Sequence, residues 1–255
     1  MRRWLAFVLV LALATVLAGA LARIPKALSR VEAFRVREIR LEGNRFLSQE
    51  EAARAAAISP EASVWDDLDP LEDRLRAHPL VADVKAKRRF PGALLLEVVE
   101  RQPIALVPTP ALEPVDALGT ILPINPAEHR LDLPIISMRG GRDGTALTAA
   151  QRRLVAGELA RLARGDPEFV ARLSEVTLDS RGDLQAEMWR RDDQGEIWDL
   201  PVTLRFRPNL PGRRVQEGLR VLGDAMIRFE GAVVADLDLR YEDQVVVRLG
   251  RARGN

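Results

Sequence analysis

The stretch Val36-Arg37-Glu38-Ile39-Arg40-Leu41-Glu42-Gly43-Asn44 decides how the first half of this chain folds. Arg37 to Leu41 alternates charged and aliphatic residues, the period of a strand with one buried face, and Gly43-Asn44 supplies a turn. Just downstream, Ser48-Gln49-Glu50-Glu51 has the form of a capping box, in which Ser48 and Glu51 satisfy each other's amides. A short Ala-rich helix to about Ala57 follows, and Ser59-Pro60 breaks it. Asp69-Pro70-Leu71-Glu72 reads as a second box with Pro70 at N1. Leu68, Leu71 and Leu75 then form one buried stripe, and His78-Pro79 ends the helix. Val81 to Arg89 reads as a strand and Phe90-Pro91-Gly92 as a type II turn. Leu94 to Val99 returns as a second strand, apolar on both faces. The order is β-α-α-β-β, closed by a hairpin.

Upstream, Arg2 and Arg3 precede a run from Trp4 to Ala22 without a charged residue. As a helix it would be about 28 Å long, close to the ~30 Å core of a bilayer. An uncleaved anchor fits this length, with Trp4 as an interfacial aromatic. A signal peptide cleaved after Ala18-Gly19-Ala20 or Ala20-Leu21-Ala22 is the alternative, although the run exceeds the usual apolar core of a leader. Arg23, Lys26, Arg30, Arg35 and Arg37 lie beyond the run, so counting cations does not place the body outside.

Downstream, Val107 to Pro114 holds three prolines and almost no charge, which suggests a hinge. Thr148-Ala149-Ala150-Gln151 is a third capping box, with Leu154, Val155, Leu159 and Leu162 as the core face of its helix. Leu173–Leu178, Leu184–Trp189, Ile197–Leu200 and Val202–Phe206 are strand candidates at the spacing of a meandering sheet, and Val215–Ile227 reads as a helix. Asp238-Leu239-Arg240-Tyr241, a turn, and Val245 to Leu249 form a last hairpin.

Composition narrows the function. The 255 residues are 47% hydrophobic and 29% charged, an ordinary balance for a folded chain. Lys+Arg is 38 against Asp+Glu 37, without the basic excess of a nucleic-acid binder. The absence of Cys excludes disulfides, thiolate nucleophiles and Cys-ligated zinc. His78 and His129 stand far apart, and neither a nucleophile elbow nor a zinc-type His-Glu-x-x-His is present. Gly140 to Gly144 lacks the Gly-Lys-Ser/Thr ending of a phosphate cradle and reads as a flexible turn. No catalytic, metal-ligating or cofactor-binding residue stands out, no cofactor or small-molecule substrate is expected, and no enzyme activity is read.

Several of these fragments resemble a known family. The 36–44 run, Leu47-Ser48, His78-Pro79-Leu80-Val81, Arg89-Phe90-Pro91 and Glu100-Arg101-Gln102-Pro103-Ile104-Ala105 are similar, in order, to a POTRA domain. A short tail, one apolar helix, a single POTRA and a C-terminal Asp-Leu-Arg-Tyr hairpin resemble the bacterial cell-division family FtsQ, also called DivIB. Gln244 stands where that family usually has a turn glycine, and Leu249 where some members have Trp.

The resemblance implies an α+β chain. Residues 1–3 would be a short cytoplasmic tail, 4–22 a transmembrane helix and 23–33 a juxtamembrane linker. A POTRA domain of β-α-α-β-β order would fill 34–107. A mixed antiparallel β domain with flanking helices would fill 108–249, ahead of a tail at 250–255. It also implies a body outside the cytoplasmic membrane, at the division septum, scaffolding early and late division proteins. The implied partners are FtsB-like and, through them, FtsL-like proteins, held by the C-terminal hairpin residues Arg240, Tyr241, Val245, Val247, Arg248 and Leu249. Such a strand edge binds by adding a partner strand. The POTRA face is implied in recruitment, and the basic strand Lys85, Lys87, Arg88 and Arg89 is a recruitment or lipid-proximal surface, or edge protection. The rival readings are another POTRA-bearing envelope assembly or secretion component, and a secreted enzyme with a cleaved leader.

Overall fold

The computed structural model describes residues 2–21, 27–109, 111–139, 147–189, 201–229 and 233–250. The glycine-rich turn expected at 140–144, the strand expected at Ile197–Leu200, part of the linker at 23–33 and the tail beyond Gly250 lie outside the described residues. Helix α1 is Arg2–Leu21, with side chains described at positions 4, 7, 10–17 and 19. Among the described residues no helix is long and apolar enough to cross a membrane. The chain divides into two compact units, Met1–Arg101 and Gln102–Asn255.

In the first unit, strands β1 (Glu38–Glu42), β2 (Val81–Arg89) and β3 (Ala93–Glu100) form a sheet of order β1-β3-β2. β1 runs parallel to β3, so a crossover must join it to the hairpin. Helices α2 (Gln49–Ala56) and α3 (Asp69–Arg76) are that crossover. The capping box forms at α2: the Ser48 hydroxyl accepts from the Glu51 amide at 3.2 Å and the Glu51 carboxylate from the Ser48 amide at 3.1 Å. Leu71, Leu75, Leu94, Leu96 and Val98 pack into the core. Replacing Leu71 by Asp puts an unpaired charge there and is expected to cost about 2 kcal/mol or more. An unchanged urea midpoint would show that Leu71 does not hold the domain.

Two local expectations are corrected here. Asp69 does not cap α3: Leu68 stands at the cap with no side-chain bond. Glu72, expected to reach back to the cap, is engaged elsewhere; it accepts from the Ala86 amide at 2.8 Å and pairs with Arg76 at 2.7 Å. The Phe90–Pro91 peptide is cis and Gly92 has no positive φ, so the turn is not type II. Glycine is needed at 92 for another reason. A Cβ there would stand 2.6 Å from the Arg35 carbonyl oxygen, against which the turn packs.

In the second unit, eight strands follow: β4 (Ala105–Thr109), β5 (Ala111–Val115), β6 (Ile135–Met138), β7 (Leu173–Leu178), β8 (Leu184–Met188), β9 (Val202–Phe206), β10 (Val233–Asp238) and β11 (Val246–Gly250). They build one sheet of order β11-β10-β9-β8-β7-β6-β4-β5. The supposed hinge at 107–114 is the β4–β5 hairpin, with Val107 opposite Glu113. Its prolines are tolerated because β5 is an edge and β4 meets β6 only at Leu106. The first unit therefore ends at Arg101, ahead of the 107 expected from sequence, because β4 belongs to the second sheet.

The sheet is not a simple meander. β4/β6, β6/β7 and β9/β10 are parallel, and the other four pairs antiparallel. Helix α4 (Pro126–His129) lies between β5 and β6. The chain crosses from β6 to β7 through α5 (Ala149–Gly165) and α6 (Pro167–Ala171), and from β9 to β10 through α7 (Gly212–Arg228). These helices pack against alternate strand residues, among them Val176, Ala186, Leu204 and Leu237, all buried. Of the core face expected for α5, Val155, Leu159 and Leu162 are buried, but Leu154 is exposed. The other sheet face presents Glu187, Thr203, Arg205, Asp236 and Asp238, the polar half of a period-2 alternation.

Candidate partner-binding edge

The last hairpin is built on ion pairs. Asp238 ends β10 with 2% exposure. It accepts from the Arg240 backbone amide at 3.1 Å and from the Arg240 guanidinium at 2.9 and 2.6 Å. A third guanidinium nitrogen of Arg240 reaches Asp183, ahead of β8, at 2.9 Å. Burial pushes the Asp238 carboxyl up, but the hydrogen bonds and charge of Arg240 outweigh it and hold the carboxyl below its ordinary value. Hydrogen bonding to Asp238 and then Asp183 raises Arg240. The Asp-Leu-Arg segment is thus an internal strut, and its arginine is spent inside the domain.

Arg214, in the first turn of α7 and 7% exposed, fixes the loop that follows. Its guanidinium donates to the carbonyls of Tyr241 at 2.7 Å and Gln244 at 2.9 Å, and to Glu217 at 2.6 Å. Gly218, one turn further along α7, lets the helix sit on Leu239. A Cβ there would stand 2.7 Å from a Leu239 methyl. Sequence reading missed Arg214. The signal was present: α7 begins with Arg213 and Arg214 and no acid in its first turn, against the helix dipole. A cation placed where its own helix disfavours it is there for a tertiary partner.

The six hairpin residues singled out by sequence separate into three groups. Arg240 is internal. Val245 and Val247 pack, partly buried, against the core, with Val247 opposite Leu237. Tyr241, the single tyrosine, and Leu249 are exposed at 46% and 45%. Arg248 is exposed and lies 3.8 Å from Asp236, which Arg205 holds at 2.7 Å. The basic strand divides too. Lys85, Lys87 and Arg89 alternate onto one face and Arg88 onto the other. Lys87 pairs with Glu97 at 2.5 Å, and Arg88 donates to the carbonyls of Val64 and Asp66.

β11 pairs with β10 and with no other strand among the described residues. Beside it runs a groove of about 660 Å³ lined by Val221, Ala225, Ile227, Phe229 and Val247, with the charged Asp224 and Arg228 also on its wall. Ile227 is 77% exposed. The far edge of the sheet is covered at the C-terminal end of β5: Pro114 has no amide hydrogen, its carbonyl accepts from Leu122 at 2.8 Å, and Ile121 bridges Val115, while Leu112 earlier on β5 is exposed. β2 is capped by α3, with Glu72 on the Ala86 amide and Arg76 on the Val84 carbonyl. β1 also pairs on one side only, beside a groove lined by Val36, Ile39, Ala53 and Ile58, none of them fully exposed. Among the described residues, β11 is the open edge with several large exposed apolar side chains beside it, Ile227, Phe229 and Leu249. No group of three or more His, Cys, Asp or Glu is placed to hold a metal among the described residues.

Comparison with known proteins agrees with this architecture. A family model described as "POTRA domain, FtsQ-type" matches residues 34–101, ending where the first unit ends. Cell division protein FtsQ of Anaeromyxobacter sp. (strain K) is 31% identical over 224 residues, 86% of this chain and 73% of that protein. FtsQ of Syntrophotalea carbinolica is 32% identical over 105 residues, 41% of this chain and 37% of its own. FtsQ of Myxococcus fulvus is 30% identical over 152 residues, 58% of this chain and 54% of its own. The match spans less than two thirds of these last two relatives. With a POTRA of FtsQ type and the first of these alignments running through both units, the chain belongs to the FtsQ family of cell division proteins.

Proposed function

We propose that this protein is a non-enzymatic scaffold of the division septum that holds FtsB-like and FtsL-like partners on its C-terminal sheet edge. The observation that carries the reading is the unpaired edge of β11 beside exposed Ile227, Phe229, Leu249 and Tyr241. A partner strand added there gains main-chain hydrogen bonds, while its alternate side chains enter the groove along α7. Arg248 remains the cation best placed for an acidic partner residue. Arg240 serves the interface indirectly, by holding the loop that carries Tyr241.

The uncharged run from Trp4 to Ala22 supports a single membrane anchor. In our reading the N-terminal tail stays inside the cytoplasmic membrane and both folded units lie outside. Restricting the protein to the membrane plane raises the effective concentration of membrane-bound partners. The POTRA domain takes the recruiting role, through contacts with other division proteins.

The test is a pair of exposed substitutions. Val247 is a poor probe, because a charge there also enters the core. Tyr241→Ala removes an exposed aromatic and is expected to weaken partner binding about thirtyfold, or ~2 kcal/mol, as at an interface hot spot. Leu249→Lys is expected to abolish co-purification of the FtsB-like partner while the far-UV spectrum and Tm stay unchanged. Full binding by the double variant would sink the edge reading. Diffuse signal from a fluorescent fusion, in place of rings at midcell, would sink the septal role.

A further inference from the structure

The hairpin tip of the POTRA domain carries an apolar knob ringed by arginines, which the partner edge does not explain. Phe90 is 56% exposed at a turn, where polar residues are usual. It is braced from behind: its ring lies 5.1 Å from Trp65 and 6.3 Å from Phe34, which meet each other edge-on at 5.9 Å. The 33–35 segment is fastened to this turn. Arg37 donates its amide to the Gly92 carbonyl at 2.8 Å, and the Arg35 carbonyl packs where a Cβ at 92 would stand. In the segments that meet at this turn Arg35, Arg37 and Arg89 are exposed, as is Arg30 just before them, and the Arg37 guanidinium also donates to the Glu32 carbonyl at 3.3 Å. The acids in the same segments are Glu32, Asp66 and Asp67, and Asp66 accepts the Ser63 amide at 2.7 Å.

Position in the chain names the occupant. Ten Cα-to-Cα steps separate the end of α1 at Leu21 from Val31, which is itself 43% exposed. At ~3.5 Å per residue that tether reaches roughly 35 Å at most. We propose that the tip is a membrane-docking surface. Phe90 enters the interfacial layer of an anionic bilayer, and Arg30, Arg35, Arg37 and Arg89 meet lipid phosphates. Burial of an apolar wedge and attraction of cations to anionic headgroups reinforce each other in such a surface. This inference rests on the anchor proposed above. It also re-sorts the basic run: Arg89 belongs to the tip, while Lys87 and Arg88 keep their partners within the domain.

The chain has no cysteine, so Ala33→Cys offers a single thiol beside the tip. The full chain would carry a polarity-sensitive dye there, in nanodiscs rich in phosphatidylglycerol or made only of phosphatidylcholine. Docking predicts blue-shifted emission and several-fold poorer quenching by acrylamide in the anionic discs alone. Phe90→Glu should erase both while the far-UV spectrum stays native and partner co-purification is unchanged. Equal emission in the two disc types, or an unaffected Phe90→Glu variant, overturns the tip. Carbonate extraction reads the anchor separately. Protein retained in the bilayer but unshifted keeps the anchor and loses the tip. Protein released by carbonate yet shifted keeps the tip and loses the anchor, and protein both released and unshifted loses both.

Discussion

Asp238→Ala is expected to lower the unfolding free energy by about 3 kcal/mol, the usual cost of stripping one partner from a buried ion pair. Asp238 is 2% exposed and accepts three hydrogen bonds from Arg240. Without it, the guanidinium keeps only Asp183, and the β10–β11 connection loses its strut. The effect has a pH signature. The folded carboxyl is held below its ordinary value of 3.8, so its contribution is complete above that value and is lost as pH falls through the lowered folded pKa. Urea titrations at neutral pH and near pH 3 check both points: the gap between wild type and variant should narrow at the acid end. A neutral-pH difference under about 1 kcal/mol would show that the strut behaves as a solvated surface pair.

Arg214→Met should have the second largest effect, and should separate positioning from mere folding. Methionine keeps an unbranched, apolar stem but removes the donors to Tyr241 and Gln244. Charge-assisted hydrogen bonds of this kind are worth roughly 1.5–3 kcal/mol each, and both carbonyls can turn to water, so a net loss of about 2 kcal/mol is expected. Partner affinity should fall further than this stability loss explains, because the Tyr241 loop is released. Amide exchange at residues 241–245 should speed up while the POTRA amides keep their protection. Arg214→Lys should rescue only in part, since one ammonium cannot reproduce the planar fork that spans two carbonyls. Unchanged exchange in the loop would mean that Arg214 does not hold it.

Much of the POTRA unit was readable because its determinants are local. The Arg37–Leu41 alternation, the Ser48 box and the Leu68-Leu71-Leu75 stripe each lie within a few residues. The failures there had tertiary causes: Glu72 left its cap for β2, and the turn at Gly92 is shaped by the Arg35 backbone. The second unit was less legible, because period-2 alternation looks the same in parallel and antiparallel strands. Nothing local says that β7 lies beside β6 and that β10 runs parallel to β9. The prolines at 108 and 114 read as a hinge because only the sheet order reveals that an edge tolerates them. At the proposed edge, Tyr241 and Leu249 follow from the hairpin pattern and are exposed. The commitment of Arg240 does not follow from it, since Asp183 lies 57 residues away in sequence.

The asymmetry between the two margins of the large sheet limits how this protein can associate with itself. Head-to-tail stacking through that sheet would need β11 of one copy to meet β5 of the next, and β5 is obstructed at its C-terminal end by Pro114, Ile121 and Leu122. Two copies can still join β11 to β11 about a twofold axis, which closes the assembly at a dimer and leaves no strand for a third. A filament grown by this sheet therefore meets that obstruction at its first step. A dimer of that kind would occupy the strand proposed for the partner, so self-pairing and the proposed capture would compete, with protein concentration setting the balance.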